Sequence, residues 1–441
     1  MSIKSFQEIE RALVARWPET KINPTLDRIE HLVDFLGSPQ LSYPTIHIAG
    51  TNGKTSTSRM IDSLCQELGL RTGRFTSPHL ENILERIAIN GIPIDELTFA
   101  KSYQDIEPYL SLVDEKMPNS LSFFEVMTAL AFVTFAEHPV DVGIFECGMG
   151  GEWDSTNVID NKVAVVTSIG FDHMEYLGNT LEEIATTKSG IIKKGEFAVL
   201  ARQEREAAQA LLKRCAIMNT TPLREGIEYE VIQRDVAVGG QLLTIRGVYG
   251  IYEDLFLPLH GKHQSSNAAT ALAAVEVFAG ETKISQEIVS DAFANATSPG
   301  RCEIISRDPT IIIDAAHNPH GAISLKETFT SEFSLENIIL VFAAMGDKDI
   351  PGFLAELYPI IDQVIITKNS SPRSAEINQI REFASDIFED AQISTAANLE
   401  EALQLAKSRA SATQDSGSVA ILVTGSVVTA GEMRSLIKRK A

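Results

Sequence analysis

The stretch IHIAGTNGKTSTSRM, residues 46–60, decides how the chain is interpreted. A short apolar run ends at Gly50, a turn containing Lys54 follows, and apolar residues then recur at helical spacing until Gly69. Backbone N–H groups in such a turn, a lysine ammonium and a helix N-terminus together suit phosphate oxygens. The pattern therefore predicts a nucleotide loop between a buried strand and a helix. The residues expected to contact the nucleotide are Gly50, Thr51, Asn52, Gly53, Lys54, Thr55 and Ser56.

This loop differs from a common P-loop, whose glycines stand further apart in the sequence. Here only Thr51 and Asn52 separate the two glycines. Ile48 stands where the earlier glycine would be. A glycine turn that contains a lysine by coincidence is the alternative interpretation. The order of strand, glycine turn and amphipathic helix favours the nucleotide loop.

Strands and helices alternate on the C-terminal side of the loop. Continuous runs rich in β-branched residues at 140–145 and 163–169 predict strands buried on both faces of a parallel sheet. A capping box that begins at Thr180 predicts the start of a helix. Alternation over residues 226–258, with a glycine pair at a turn, predicts antiparallel strands, and a helix is expected over 264–278.

The segment NATSPGR, residues 295–301, is rich in turn-forming residues and predicts a domain boundary. Beyond it, strands and helices alternate again. We expect an α/β protein of two domains. Residues 1–297 would form the larger, mostly parallel sheet domain that holds the nucleotide loop, and residues 298–441 a smaller Rossmann-like domain. The strands expected in the second domain are 310–314, 338–342, 363–367 and 419–424.

The composition limits the partners of the chain. Its 441 residues include 38 Lys and Arg against 59 Asp and Glu, so the net charge is −21. A surface this acidic argues against nucleic acid or an anionic membrane as a partner. The four cysteines are dispersed, which argues against a disulfide framework or a thiolate zinc site. With charges near the N-terminus and no long apolar run, we expect a cytoplasmic protein that acts on small molecules.

Two sequence blocks carry a resemblance to known proteins. They are PTLDRIEHLVDFLGSPQLSYPTIHIAGTNGKT, residues 24–55, and TSPHLENILERI, residues 76–87. The nucleotide loop resembles that of the Mur ligase superfamily. From residue 24 onward, the chain resembles the bacterial dihydrofolate synthase/folylpolyglutamate synthase family. The resemblance implies a monomeric enzyme that uses ATP to join L-glutamate to dihydropteroate and to reduced folates through an acyl phosphate.

A metal site is expected near the end of a central strand. Glu146 ends a predicted strand, and a carboxylate there is well placed for a metal in the crevice of a doubly wound sheet. The resemblance implies that Ser77, Glu146 and His173 hold Mg²⁺, with two ions in the site. An imidazole is an unusual ligand for Mg²⁺, which prefers oxygen. The resemblance also implies that Lys188 is carbamylated, which turns a cation into an anion that can help to hold the second ion.

The blocks SFFEVMTALAF, residues 122–132, and GGEWDSTNV, residues 150–158, resemble pterin-binding segments. Their aromatic residues suit a flat heterocycle. Phe123 and Phe124 also begin a strongly apolar helix, so core packing is the alternative for these two rings. Trp153 replaces an arginine that is common in other branches of the family. The implied folate contacts are Arg28, Ser122, Phe123, Phe124, Glu125, Trp153, Asp154 and Ser155.

The remaining site residues lie on both sides of the predicted boundary. In IIIDAAHNPHGA, Asp314 and His317 follow a predicted strand and precede a helix, whose N-terminus suits an anion. The implied ATP contacts outside the loop are Asn267, Arg301 and Asp314. The implied catalytic residues are Lys54, Lys188 and His317, and the implied glutamate contacts are His317 and Ser426. We expect rotation about residues 295–300 to bring the two domains together.

Three other functions compete with this interpretation. A cell-wall Mur ligase would carry a further N-terminal domain, and only 49 residues precede Gly50. A nucleotide-dependent switch without ligase chemistry would not need Arg301, Asp314 or His317. A monofunctional folylpolyglutamate synthase would differ only in its acceptor pocket, and the stretch 24–36 resembles enzymes that have both activities.

Overall fold

Three β-sheets organise the chain in this computed structural model, which describes residues 4–17, 23–195, 197–412 and 419–439. The strands are β1 (Thr45–Ala49), β2 (Thr72–Phe75), β3 (Ile87–Ile89), β4 (Ile92–Pro93), β5 (Val142–Glu146), β6 (Asn161–Val166), β7 (Phe197–Leu200), β8 (Thr221–Arg224), β9 (Glu230–Ala237), β10 (Gly240–Arg246), β11 (Ile251–Leu257), β12 (Glu303–Arg307), β13 (Thr310–Ile313), β14 (Asn337–Phe342), β15 (Gln363–Ile366), β16 (Ile393–Thr395) and β17 (Val419–Thr424). The α-helices are α1 (Phe6–Val14), α2 (Asp27–Phe35), α3 (Lys54–Glu67), α4 (Glu96–Lys116), α5 (Phe123–Glu137), α6 (Met174–Leu177), α7 (Leu181–Lys188), α8 (Arg205–Met218), α9 (Lys262–Phe278), α10 (Gln286–Ala294), α11 (Pro319–Glu332), α12 (Ile350–Leu357), α13 (Ile377–Ser385), α14 (Leu399–Ala412) and α15 (Val427–Lys438).

The largest sheet holds the nucleotide loop. Its strand order is β4-β3-β2-β5-β1-β6-β7-β8. Strands β2, β5, β1, β6, β7 and β8 run parallel, whereas β3 and β4 extend one edge in antiparallel fashion. Because β1 lies between β5 and β6, the turn that follows it opens at the centre of the carboxyl edge. Ligands of open α/β sheets bind at this edge.

Strand β1 is buried on both faces, as its continuous apolar run predicts. Ile46 and Ile48 pack into one core cluster with α3 and α9. His47 points to the opposite face, where its ring contacts the hydroxyl of Thr156 at 2.7 Å. Helix α3 ends before Gly69, whose φ of +80° suits glycine, so the predicted helix stop is confirmed.

The antiparallel strands predicted within residues 226–258 form a separate three-stranded sheet, β11-β10-β9. Its apolar side packs with α9 in the same core cluster as β1. Helix α9 begins at Lys262, two residues before the predicted start. The predicted capping box at Thr180 is present at the start of α7.

The third sheet has the order β12-β13-β17-β14-β15-β16, and all its strands except β12 run parallel. Helices α11, α12 and α13 cover one face, and α14 and α15 cover the other. The four strands predicted here are β13, β14, β15 and β17. The edge strands β12 and β16 were not predicted, because they are short and half-exposed and lack a continuous apolar run. The expected α/β fold with two sheet domains is confirmed.

All four cysteines are free and buried. Burial raises the pKa of each thiol, to about 11 for Cys215. In the described ranges, none of the helices combines the length and the apolar character that crossing a membrane requires.

Candidate active site

The turn after β1 is built for close backbone approach. Gly50 has a φ of +148°, and a Cβ there would lie 1.9 Å from the hydroxyl oxygen of Thr167. The N–H groups of Thr51 and Asn52 both donate to the carbonyl of Ser168, at 2.8 and 3.2 Å. Consequently the loop is held against the end of β6. A glycine is required at position 50 for two reasons: a side chain would clash with Thr167, and the backbone has a positive φ.

Helix α3 begins without a side-chain cap. Its N-cap residue is Gly53, at a φ of +89°, and a Cβ there would lie 2.5 Å from Asn267 Oδ1. Asn267 on α9 therefore borders the nucleotide loop, as the resemblance implies. Because no side chain caps this terminus, the first N–H groups of the helix remain available to an anion.

Two lysines converge on one backbone carbonyl. Lys54 Nζ donates to the carbonyls of Gly50 and Thr51, at 3.0 and 3.2 Å. Lys188 Nζ, from the end of α7, also donates to the Gly50 carbonyl at 3.0 Å. Burial, helped by the nearby Lys54 charge, lowers the pKa of Lys188 to about 7. Lys188 is therefore a buried amine at the base of the nucleotide loop.

Glu146 ends β5 and lies beside the nucleotide loop. It pairs in register with Ile48, and the hydroxyl of Thr55 donates to its carboxylate at 2.8 Å. Burial raises the pKa of Glu146, although the Lys54 charge, the Thr55 hydrogen bond and the Arg301 charge act in the opposite direction. A buried carboxylate beside a hydroxyl is an oxygen donor set that fits Mg²⁺.

The other two expected metal ligands differ in character. Ser77 is buried in the turn after β2. His173 begins α6 at a φ of +50°, and burial lowers the pKa of its imidazole to about 4. Within the described ranges, no three His, Cys, Asp or Glu side chains form a group that could hold a metal. The fit to Mg²⁺ therefore rests on the oxygens of Glu146 and Thr55.

Asp172 meets several side chains from the third sheet. Lys348 Nζ donates to Asp172 Oδ1 at 2.7 Å, and Asn318 Nδ2 donates to Oδ2 at 3.3 Å. His317 Nε2 lies 3.6 Å from the same Oδ2. Burial alone would raise the pKa of Asp172, but hydrogen bonding from His317 and the charges of His173 and Lys348 hold it well below the usual range. This carboxylate therefore joins the two sheet domains.

Further contacts tie the nucleotide loop to the third sheet and to the boundary segment. Asn52 Nδ2 lies 2.8 Å from His320 Nδ1, and Asn52 Oδ1 accepts from Asn318 at 3.4 Å. The hydroxyls of Ser56 and Ser298 are 2.9 Å apart. The nucleotide loop thus contacts the second domain through Asn52, and the first turn of α3 contacts the boundary segment through Ser56.

Arg301 and Asp314 lie on the second domain near this contact. Both oxygens of Asp314 accept backbone N–H groups, from Cys302 and Ala316, at 2.7 Å each. Burial raises the pKa of Asp314, against the charge of Arg301. The Arg301 charge acts to lower the pKa of both Asp314 and Glu146, one carboxyl group in each domain.

Several expected folate contacts bond to one another. Arg28 Nε donates to both oxygens of Glu125, at 2.9 and 3.1 Å, in a buried ion pair. Glu125 also accepts from the backbone N–H of Ser122, and together they form the capping box of α5. The S-x-x-E signature of this box is visible in the sequence and could have indicated the role.

The remaining expected folate contacts lie around the start of α5. Phe123 packs in the core and receives the guanidinium of Arg86 over its ring at 4.9 Å, while Phe124 is partly buried. Asp154 caps a short helix and accepts from the N–H groups of Met149 and Thr156. A further contact joins Ser155 to Thr128, hydroxyl to hydroxyl, at 2.9 Å. The side chain of Trp153, in the loop before Asp154, is half-buried.

Ser426 is the N-cap residue of α15. Its hydroxyl accepts from the N–H of Thr429 at 3.0 Å, and Asn369 Nδ2 donates to it at 3.2 Å. The hydroxyl is buried and already has these partners. Its local role is therefore to begin the helix.

Comparison with known proteins gives the family. Residues 48–275 match the Mur ligase middle domain, and residues 300–427 match the Mur ligase glutamate ligase domain. The chain is 45% identical to the dihydrofolate synthase/folylpolyglutamate synthase of Mycobacterium tuberculosis, over 99% of this chain and 95% of that protein. It is 35% identical to the Bacillus subtilis protein of the same name, over 95% and 96%.

The chain belongs to the dihydrofolate synthase/folylpolyglutamate synthase family. It is thus an ATP-dependent ligase of the Mur ligase type. Solved family members have the same fold. Mycobacterium tuberculosis folylpolyglutamate synthase complexed with ADP superposes with a TM-score of 0.94 at 45% identity, over 98% of each chain. An Escherichia coli protein in complex with DHPP and ADP superposes with a TM-score of 0.87 at 29% identity, over 99% of this chain and 98% of that one.

Three polar residues that lie in this cleft were not predicted from the sequence. Asp172, Asn318 and Lys348 meet there, although 176 positions separate Asp172 from Lys348. Asn318 lies in the motif that was quoted for Asp314 and His317, and Asp172 precedes the expected metal ligand His173. In no case does the spacing along the chain indicate the contact. Their shared position just after parallel strands is the only signal that could have found them.

Proposed function

We propose that this chain joins L-glutamate to dihydropteroate, giving dihydrofolate, and to reduced folates, giving folylpolyglutamates. ATP phosphorylates the acceptor carboxylate, which releases ADP and leaves an acyl phosphate. The glutamate amine then forms a C–N bond to that carbon, and inorganic phosphate departs. A carboxylate needs this activation because its own oxygen is a poor leaving group at neutral pH.

The observation that carries the proposal is the convergence of cations from two domains on one turn. Lys54 Nζ donates to backbone carbonyls of the nucleotide loop, and the charge of Arg301 in the second domain acts on Glu146 beside that loop. His317 and Lys348 meet the same edge through Asp172. Positive charge on both sides of a transferring phosphoryl group stabilises its developing negative charge. Closing the cleft also keeps water away from an acyl phosphate.

We propose that Glu146, Ser77 and His173 hold Mg²⁺ and that Thr55 adds a hydroxyl. Bound there, Mg²⁺ would neutralise charge on the nucleotide phosphates. The residues of the chain hold the rest of the site: Lys54 keeps a positive charge beside the loop, and Glu146 orients the Thr55 hydroxyl.

Carbamylation of Lys188 is a further part of the proposal. Only a neutral amine can add to CO₂, and a pKa of about 7 leaves much of Lys188 neutral in weakly basic solution. The amine lies 3.0 Å from the Gly50 carbonyl, within the nucleotide site. A carbamate there would add negative charge where a second Mg²⁺ could bind.

The acceptor and the amino acid would occupy opposite sides of the nucleotide loop. The folate pocket would form around Trp153, Phe124 and the start of α5, and the Arg28–Glu125 pair would fix its wall. The DHPP complex of the Escherichia coli relative supports a pterin-type acceptor. The glutamate would lie near His317 and the start of α15.

The domain boundary and closure also belong to the proposal. We place the boundary at residues 297 and 298, between the two matched family domains, and expect rotation about residues 295–300. Solution scattering with and without AMPPCP tests it, and identical profiles would count against rotation. We further propose a monomer that binds no nucleic acid, which light scattering and a DNA-binding assay can check.

The deciding experiment measures ADP release with Mg²⁺ and ATP, using either dihydropteroate or tetrahydrofolate with L-glutamate. Turnover with both acceptors supports the bifunctional assignment. Turnover with tetrahydrofolate alone reduces the function to polyglutamylation. The absence of glutamate-dependent turnover with both would overturn the proposal.

A further inference from the structure

Asp172 lies at the end of a short run of chain that connects the nucleotide loop with the second domain. The run begins at Ser168, whose carbonyl accepts from the N–H of Thr51 at 2.8 Å. Gly170 then exchanges two hydrogen bonds with the Thr51 hydroxyl, each 3.1 Å long. Two residues later, Asp172 reaches across the cleft. The backbone that holds the nucleotide loop therefore also carries the Asp172 carboxylate.

The partners of Asp172 are the groups that the second domain contributes to the site. Lys348 donates to one carboxylate oxygen at 2.7 Å. Asn318 donates to the other at 3.3 Å, and His317 Nε2 lies 3.6 Å from it. The side chains of Asp172 and Lys348 are only 11% and 13% exposed. Such a shielded pair is screened less by salt than a surface pair and holds a defined geometry.

Its local bonding fixes the orientation of the Asp172 carboxylate. Oδ1 also accepts the backbone N–H of His173 at 2.9 Å, so the side chain cannot turn away without losing that bond. His317 is fixed from the other side, because its Nδ1 lies 3.0 Å from the carbonyl of Ala315. With both ring nitrogens of His317 in polar contact, the imidazole is held in one orientation.

We infer that Asp172 is a positioning residue for the ligase reaction: its carboxylate holds His317 and Lys348 over the nucleotide loop when the domains are closed. This inference rests on the proposed function for its chemistry, whereas the contact between the domains stands on the geometry alone. Asp172 touches no reacting atom in this role. Its effect is to set the distance between the second-domain side chains and the phosphoryl group.

The test compares Asp172→Asn and Lys348→Met with wild-type enzyme. Asparagine keeps the size of the side chain but loses the charge that attracts Lys348. We expect either variant to lower kcat on the order of 100-fold, since a displacement of about 1 Å can cost that much. Neither should weaken ADP binding, because the contacts of Lys54 remain. The double variant should be no slower than the slower single variant, as coupled partners require.

A matched control breaks a different contact between the domains. Glu81 follows β2 and binds Arg434 and Ser435 on α15. Glu81→Gln removes that ion pair but leaves His317 and Lys348 in place, and Arg434 keeps Glu303 at 2.9 Å. We expect it to retain wild-type kcat. An equal loss in Glu81→Gln and Asp172→Asn would show that Asp172 only packs the domains together, and would overturn the inference.

A second measurement does not depend on turnover. In solution scattering with AMPPCP, Asp172→Asn and Lys348→Met should give a larger radius of gyration than wild-type. Wild-type scattering from both variants, or wild-type kcat in both, would overturn the inference. If wild-type enzyme turns over neither folate acceptor, the proposed function fails. The scattering experiment alone then tests whether the Asp172–Lys348 pair holds the domains together. If Asp172→Asn fails to fold, Lys348→Met tests the same contact from the other side.

Discussion

Two turns of this molecule each connect a parallel strand to a helix, but they differ in how the first N–H groups of that helix are bonded. One follows β1 and leads into α3, and the other follows β13 and leads into α11. The first helix begins at Gly53 without a side-chain cap. The second begins at Asn318, whose side chain accepts from the N–H of Gly321 at 2.8 Å.

The difference indicates which groups each turn can offer to a ligand. An uncapped helix leaves its first N–H groups free for an anion, so we propose that the turn after β1 binds phosphate mainly through its backbone. In the turn after β13, Asn318 already serves the helix terminus. That turn therefore acts through the side chains it presents, His317 above all.

The largest effect should come from Lys54→Met, which removes the charge from the first turn. Among the described residues, Lys54 Nζ bonds only backbone carbonyls of its own loop, so the variant should fold normally. We expect the rate of glutamate-dependent ADP release to fall on the order of 100-fold or more. Lys326→Met, which breaks a surface pair with Glu356, is the control and should stay active. A Lys54→Met enzyme with near-normal turnover would mean that the backbone alone suffices.

The second turn is tested by Asn318→Ala. The variant loses a helix cap, which costs about 1 kcal/mol of unfolding free energy. It also loses the contacts of Asn318 to Asn52 and Asp172, so kcat should fall on the order of tenfold. Ser285→Ala removes the cap of α10 far from the cleft and should cost similar stability without loss of kcat. If the two variants have the same kcat, the turn after β13 is only a helix start.

The buried amine under the first turn gives a smaller, pH-dependent effect. Because the pKa of Lys188 is lowered to about 7, raising the pH through that value converts the ammonium to the neutral amine. The neutral fraction grows about fivefold from pH 6 to pH 7, and addition of CO₂ to the neutral amine releases a further proton. At a fixed concentration of dissolved ¹³CO₂, a carbamate signal in the NMR spectrum should therefore grow by more than about fivefold over this range. Lys188→Gln should lack the signal. A signal of equal size at both pH values would show that Lys188 does not carry the carbamate.

The smallest effect is expected at Ser426, which caps α15. Ser426→Ala and the control Ser285→Ala should each lose about 1 kcal/mol of unfolding free energy, measured by urea denaturation. If Ser426 also contacts glutamate, only Ser426→Ala raises KM for glutamate. Equal glutamate KM values in the two variants would limit Ser426 to capping.

The sequence predicts the first turn far better than the second. The turn after β1 is local: strand, glycines, lysine and helix all lie within residues 46–60, and the structure follows that order. The Asp172–Lys348 pair joins residues from different sheets, and no periodicity relates them. The Arg28–Glu125 pair is likewise long-range, although the capping box that fixes Glu125 is local and visible.

The fold class was predictable because buried parallel strands are continuous apolar runs, as in β5, β6, β14 and β17. The environment of Lys188 was not, because a lysine at the end of a polar helix has no sequence mark of burial. Its lowered pKa depends on packing between α7 and the nucleotide loop. Tertiary contacts of this kind determine the pKa values and hydrogen bonds of the site, whereas local sequence patterns determine the strands and helices that carry it.

The four cysteines of the chain are buried, so we expect them to react slowly with thiol reagents. A thiolate is the reactive form, and burial both hides these sulfur atoms and raises their pKa. A cysteine placed at exposed Leu97 in the first domain, and another at exposed Tyr358 in the second, would react selectively. Fluorophores attached at these two points would report the distance between the domains in the working enzyme, one molecule at a time.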